Sequence, residues 1–428
     1  MILPGDGTLH YREGVLHMEG VSLHALAAQV GTPAYVYSRA GIEARIRALD
    51  EAFALTPHRI HYAVKANSNL AVLALCHNLG TGFDIVSGGE LSRVLAAGGS
   101  ADSVIFSGVG KSVEEIDFAL KAGIGCFNVE SAEELQRIAA RAENLQKQAP
   151  ISIRVNPDVD AQTHPYISTG LKQNKFGVTA AQSLKLYAEA AGHPWLDTVG
   201  IDCHIGSQIS SSGPLLEALT RLLELVDQLA AGGIELQHID LGGGMGVTYQ
   251  DEEALDFAEY GSMVAQILGN RPQTILLEPG RSITANAGIL LSRVEYTKPG
   301  EEPDAPNFAV VDAAMNDLIR PALYQAWHNI LPVNEQSAAA PAQWDVVGPV
   351  CESGDFLAKA RELAVQAGDL LVVASSGAYG MVQASNYNSR GRACEVMVDG
   401  ANHKVVRRRE TIEDQLRLER ALTEDSGS

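Results

Sequence analysis

The stretch HYAVKAN, residues 61–67, closes a short apolar run on Lys65 and breaks at once into Ala66, Asn67 and Ser68. An ammonium group is strongly hydrated and seldom buried, so one reading is a strand end that has reached solvent. The other is an amine planted where an aldehyde can form a Schiff base with it. In LGGGMG, residues 241–246, Gly242, Gly243 and Gly244 follow the run HIDL. A backbone without Cβ atoms lets several N–H groups converge on one oxyanion, and it also suits a crowded turn. Glu278 opens EPGRS directly after Leu276 and Leu277. A carboxylate there is costly unless it meets a cation, such as Arg281, or a protonated ring nitrogen. His204 in DCHIGSQ could lie flat against an aromatic ligand or be a hydrogen-bonded core residue.

A reactive lysine, a phosphate cradle, a flat stacking group and a buried carboxylate together match the needs of pyridoxal 5'-phosphate. If a carbon–carbon bond is broken on that cofactor, an acid must return a proton to the carbon. Cys351, in CESGD beside Glu352 and Asp355, is a suitable donor, because a thiol of ordinary pKa, about 8.5, is mostly protonated at neutral pH. A small buried apolar role is the alternative for this cysteine. Arg281 and Arg320 could each hold a substrate carboxylate through two parallel hydrogen bonds, or be surface guanidiniums. Tyr324 shares a face with Arg320 only if LIRPALY is helical, which Pro321 near its start permits.

These residues need a frame. From about residue 59, eight apolar or β-branched runs alternate with helix-like stretches: RIHYAVK, GFDIVS, VIFSG, GCFNVE, ISIRVNP, VGIDCHIG, LQHIDLGGG and TILLEPG. Between them, stretches such as residues 88–99 and 131–148 have helical apolar spacing and begin with Ser or Glu. The expected fold is α/β, a parallel (β/α)8 barrel over residues 35–284. Lys65, Asp84, Ser107, Glu130, His204, Gly242–Gly244 and Glu278 then all fall at the working face, the C-terminal ends of the strands. After about residue 284, short strand-like runs between Gly/Pro turns predict an all-β domain, residues 285–428. The β-rich first 34 residues are too short to fold alone and are expected to join it.

The composition is that of an ordinary globular chain, with room for a large core and two domains, and it argues against other classes. The chain has 428 residues, 46% hydrophobic and 20% charged, and its 52 acidic against 32 basic residues give a net charge of −20. No basic run offsets that balance, which argues against nucleic acid and anionic membrane surfaces. Five scattered cysteines, Cys76, Cys126, Cys203, Cys351 and Cys394, lack CxxC spacing, so no disulfide framework and no metal site are expected. The start, MILPGDGTLHYREG, lacks a basic segment followed by an apolar one, and no run reaches about 18 apolar residues; the cytoplasm is expected.

Over nearly its whole length the sequence resembles the barrel-type, alanine racemase-like pyridoxal-phosphate decarboxylases, and within them the branch acting on diaminopimelate. The resemblance is carried by YAVKAN, FDIVSGGEL, KFG (175–177), HIGSQI, GGG, EPGRS, GPVCESGD (348–355), GAYG (377–380) and SNYN (385–388). It implies the type III fold of pyridoxal-phosphate enzymes and a homodimer with shared active sites. It further implies that Lys65 bonds the cofactor aldehyde, that His204 stacks on the ring and that Glu278 faces the pyridine nitrogen. Asp84, Ser207, Gly242, Gly243, Gly244, Gly280 and Tyr379 are the other implied cofactor contacts. Arg281, Arg320, Tyr324, Glu352 and Tyr379 are the implied substrate contacts. Cys351 becomes the proton donor, supplied with Glu352 by the other subunit.

The implied reaction converts meso-2,6-diaminopimelate, at its D centre, to L-lysine and CO2. A related decarboxylase of ornithine, arginine or carboxynorspermidine is the alternative on the same scaffold. A racemase fits less well, since Glu278 favours a strong electron sink where racemases of this fold resemble each other in placing an arginine. A catalytically silent, protein-binding relative would have no chemical need for Lys65, Glu278 and Cys351 together.

Overall fold

The computed structural model describes residues 7–160, 175–302 and 305–421. The chain divides into two compact units, Ile42–Ala285, and Met1–Gly41 with Asn286–Ser428.

In the first unit eight parallel strands close into a barrel: β1 His58–Ala63, β2 Gly82–Ile85, β3 Val104–Phe106, β4 Cys126–Val129, β5 Ala149–Arg154, β6 Leu196–Asp202, β7 His238–Asp240 and β8 Thr274–Leu277. Each pairs with the next, and β8 returns to β1 with Leu277 opposite Ile60. These are the eight runs expected from the sequence. Every residue of β2, β3 and β4 is buried, as a sheet covered outside by helices and filled inside by its own side chains requires. The helices start where the sequence supplies a cap. Ser87, Ser112 and Ser131 accept the N–H groups of Glu90, Glu115 and Glu134, contacts that stabilise a helix by about 1 kcal/mol each. Because all strands run the same way, their C-terminal ends open on one face.

The boundary between units falls after Gly41 rather than after residue 34. The reason is the strand Ala34–Ser38, which is buried throughout and paired on both edges within the second unit. It runs antiparallel to Gly288–Lys298, with Val36 opposite Ile289, and parallel to Cys394–Asp399, with Val36 opposite Val396. Both neighbours are needed to satisfy its backbone, so it belongs with them.

The second unit is mainly β-sheet, with the short helices Leu23–Val30, Arg320–Tyr324 and Ile412–Leu416. The first strands, Leu9–Arg12 and Val15–Met18, form a hairpin whose Leu16 and Met18 pack in one core with Leu331, Val333, Val372 and Val396. The Leu16 N–H donates to the Val333 carbonyl at 2.7 Å. Among the described residues, no helix is long and apolar enough to cross a membrane.

Candidate active site

β1 runs straight into a 3₁₀ turn, Val64–Ala66. Asn67 Oδ1 then accepts the Asn69 N–H at 3.1 Å, and Asn69 Oδ1 caps the helix Leu70–Asn78 through the Ala71 N–H at 2.9 Å. Asparagine side chains substitute for backbone acceptors in turns and caps, which is why the strand stops where it does. Lys65 is left at the barrel mouth with its side chain 38% exposed, its ammonium donating to Asp84 Oδ2 at 2.7 Å. Asp84, on β2, is fully buried, and its Oδ1 meets no hydrogen-bond partner.

Below the mouth three buried carboxylates converge. Asp202 ends β6, Asp240 ends β7 and Glu278 follows β8, and their oxygens lie within 4.8 Å of one another. Ionised together and out of water they would repel strongly, so the group holds protons. Burial first, then the Asp240 charge, pushes Glu278 well above the usual carboxylate range. Burial likewise raises Asp240 to about 6 and pushes Asp202 well up. Arg154 lies 3.9 Å from Asp202, while its guanidinium is engaged with Glu130 at 2.9 Å. Arg281 turns away from Glu278 and donates to Ser207 Oγ at 3.1 Å and to the Tyr249 hydroxyl at 2.8 Å. Glu278 Oε1 therefore stays buried without a partner, an acceptor that calls for a donor from a ligand.

Beside it the glycine loop folds back over the strand ends. Asp240 Oδ1 accepts the Gly242 N–H at 2.8 Å, and the Gly242 carbonyl accepts the Glu278 N–H at 2.8 Å. Gly242 and Gly244 have φ of 65° and 88°, a region that side chains other than glycine's resist. A Cβ on Gly243 would lie 2.1 Å from the Glu278 carbonyl oxygen, and one on Gly242 2.7 Å from His204 Nδ1. The crowded-turn reading holds: the crowding is what keeps the loop bare. His204 Nδ1 accepts the Gly243 N–H at 3.3 Å, which leaves the ring proton on Nε2. Burial, with the charges of Arg154 and Lys65, keeps this imidazole neutral. Gly280 closes the ring of contacts, since a Cβ there would meet Ala66 Cβ at 2.9 Å.

The other candidates belong to the second unit. Arg320 opens the helix Arg320–Tyr324, with Pro321 in its first turn, so Tyr324 follows one turn later. Arg320 is buried and donates to His328 Nε2 at 3.0 Å, and His328 Nδ1 in turn donates to the Ala374 carbonyl at 2.8 Å. Neither this arginine nor Arg281 is a surface guanidinium. Cys351 is exposed, not a buried apolar filler. Its loop is pinned by Asp355, whose two oxygens accept the Met315 and Val350 N–H groups at 2.7 Å each. The Cys351 N–H donates to Asn388 Oδ1 at 3.1 Å, and a hydrogen bond to Glu352 raises the Tyr387 phenol. CESGD and SNYN, far apart in sequence, thereby meet. Tyr379 has φ of 55°, uncommon for a bulky side chain and held by tight neighbours. At Gly380, for example, a Cβ would lie 2.7 Å from the Tyr35 hydroxyl.

Residues 39–285 match the family described as pyridoxal-dependent decarboxylase, pyridoxal binding domain. Diaminopimelate decarboxylase from Pseudomonas aeruginosa is 57% identical over 95% of this chain and 97% of its own. The chain belongs to the diaminopimelate decarboxylase family. Solved structures agree. The diaminopimelate decarboxylase of Helicobacter pylori in complex with L-lysine superposes with a TM-score of 0.88 at 42% identity, covering 92% of this chain and 98% of that one. The diaminopimelate decarboxylase of M. jannaschii, also with L-lysine, gives a TM-score of 0.91 at 35% identity, covering 97% of this chain and 98% of that one.

Four residues of this diaminopimelate decarboxylase family member escaped sequence reasoning: Arg154, Asp202, Asp240 and Tyr249. The first three each close a strand directly after a buried isoleucine, in SIR, GID and HID, and a charge there in a doubly covered strand is the signal that could have found them. Tyr249 carries no such signal; only the fold brings it to Arg281.

Proposed function

We propose that the protein decarboxylates meso-2,6-diaminopimelate at its D centre, releasing CO2 and L-lysine, with pyridoxal 5'-phosphate as cofactor. The observation that carries this reading is the unpartnered, buried Glu278 Oε1 in one barrel mouth with Lys65 and a glycine loop that admits no Cβ. A lysine amine, an oxyanion cradle and an acceptor for a ring N–H fit the cofactor's aldehyde, phosphate and pyridine nitrogen. When bound, the cofactor supplies the sink for the electron pair left as the carboxylate departs.

The chain's own residues then divide the work. Lys65, oriented by Asp84, would hold the aldehyde carbon. Glu278 would keep a proton at the ring nitrogen, and the neutral His204 ring would be the group that meets the pyridine face. The N–H groups of Gly244 and Gly280, with Ser207 and Tyr379, would take the phosphate, while Gly242 and Gly243, whose N–H groups go to Asp240 and His204, would leave a bare backbone beside it. Arg281, Arg320 and Tyr324 bind substrate carboxylate, and Glu352 the far ammonium. Cys351 delivers the proton to the reacting carbon. In this proposal Cys351 and Glu352 come from a second copy of the chain in a homodimer, and the enzyme works in the cytoplasm.

The test is turnover of purified holoenzyme against meso-diaminopimelate, ornithine, arginine and carboxynorspermidine, with CO2 followed and the amine product identified. Lysine from diaminopimelate alone is the expected result; turnover of another member of the panel instead would reassign the substrate. Cys351→Ser should retain the cofactor while kcat falls about 10²-fold, the usual effect of losing a general acid. An unchanged kcat would assign the proton to a different group.

A further inference from the structure

The strand that carries Lys65 beyond its C-terminal end has a second polar set at its start. Period two places Arg59 and His61 on one face of β1. There they line a cavity of about 410 Å³ together with Arg47, Asp50, Thr81 and Gly82. A smaller cavity of about 130 Å³ shares Arg59 and His61 and adds His238 and Thr274. This is the N-terminal end of the barrel, opposite the mouth.

Of the residues lining these two cavities, His61 Nδ1, Thr81 Oγ1 and His238 Nε2 are buried without a hydrogen-bond partner. Leaving such an atom unsatisfied costs about 1–3 kcal/mol, and a cluster of them points to water or a ligand between them. The cavity exceeds what one or two structural waters fill, at about 30 Å³ each, and lies in the range of small-molecule sites. Two strand glycines at this end make room for the imidazoles. A Cβ on Gly82 would lie 2.5 Å from His61 Nδ1, and one on Gly200 1.9 Å from His238 Nε2. Glycine weakens a strand interior, and here it admits an imidazole.

The charge at this end selects the ligand. Arg47 is paired with Glu43 at 3.0 Å and His58 with Asp50 at 3.1 Å. Arg59 is exposed and finds no hydrogen-bond or ion-pair partner among the described residues. Burial holds His61 at about 4 and His238 at about 3, so at neutral pH both rings are uncharged and each keeps one N–H.

We propose that the N-terminal end of the barrel is a second binding site, for a small oxyanion of the phosphate or carboxylate class, with Arg59 supplying the charge and Thr81 and His61 supplying neutral donors. This stands independently of the proposed reaction. The test is calorimetric titration of the holoenzyme, whose mouth is already filled by the cofactor phosphate, with inorganic phosphate and, separately, with malonate. Expected is one saturable site per chain for at least one probe. Which probe binds distinguishes phosphate from carboxylate. Its Kd should rise about tenfold or more in Arg59→Ala, equivalent to the loss of one charge-assisted hydrogen bond, and recover largely in Arg59→Lys. Decarboxylase activity should be unchanged in both. No saturation by either probe at millimolar concentration, or an equal Kd in the parent and Arg59→Ala, would overturn the proposal.

Discussion

The two ends of the barrel are built from the same strands and treat charge in opposite ways. At the mouth, Asp202, Asp240 and Glu278 are acids that burial drives toward their protonated, neutral forms. At the other end, His61 and His238 are bases that burial drives toward their deprotonated, neutral forms. A poorly hydrated interior penalises either sign of charge, and residue type decides whether the group keeps or sheds its proton. The mouth gathers groups poised to exchange protons with a ligand, whereas the opposite end gathers neutral donors and one free-standing arginine. The exposed ends of barrel strands differ in function for this reason as well as by topology.

Substitutions at the mouth should bear on chemistry first. Lys65→Ala should lower activity by more than about 10³-fold and remove the visible absorption band that borohydride bleaches. A bleachable band that survives would move covalent attachment to a different amine. Glu278→Gln should lower kcat about 10²-fold with little change in KM, because it weakens the electron sink rather than substrate binding. A kcat equal to the parent's would detach the ring-nitrogen role from Glu278. Gly243→Ala adds a Cβ 2.1 Å from the Glu278 carbonyl oxygen. Overpacking of about 1–3 kcal/mol should weaken cofactor binding about 10- to 100-fold, measured by equilibrium titration of the apoenzyme.

The opposite end should instead speak through stability against pH. His61 has a folded pKa lowered from 6.5 to about 4. Between those values the unfolded chain binds a proton that the folded chain does not. The stability is therefore fully present above about pH 6.5 and falls as pH drops toward about 4, by up to about 3 kcal/mol. Asp240, raised from 3.8 to about 6, works with the opposite sign, losing its contribution as pH rises through that window. His61→Gln should flatten the acid-side loss of stability in holoenzyme denaturation curves and leave kcat unchanged. An acid limb identical to the parent's would end the contrast between the two ends.

Much of this was legible locally. The eight strand runs, the serine caps and the break after Lys65 depend on residues within a few positions of one another, where propensity and side-chain capping act. Lys65, Glu278 and the glycines stood out because each is a conspicuous residue at the end of an apolar run. The boundary expected after residue 34 lies after Gly41, because Ala34–Ser38 pairs with strands more than 250 and 350 residues later, which no local pattern announces.

The residue string by itself determined the (β/α) alternation, the chemical kit at the strand ends and, through its motifs, the family. Tertiary structure alone decided how that kit is wired: that Arg281 pairs with Ser207 and Tyr249 instead of Glu278, that three carboxylates crowd into one space, and that Arg154 bridges to Glu130. Helix and strand preferences are short-range, whereas burial and charge pairing depend on which strands the closed barrel makes neighbours. Residue type sets what a side chain can do, and closure sets which groups it must do it beside.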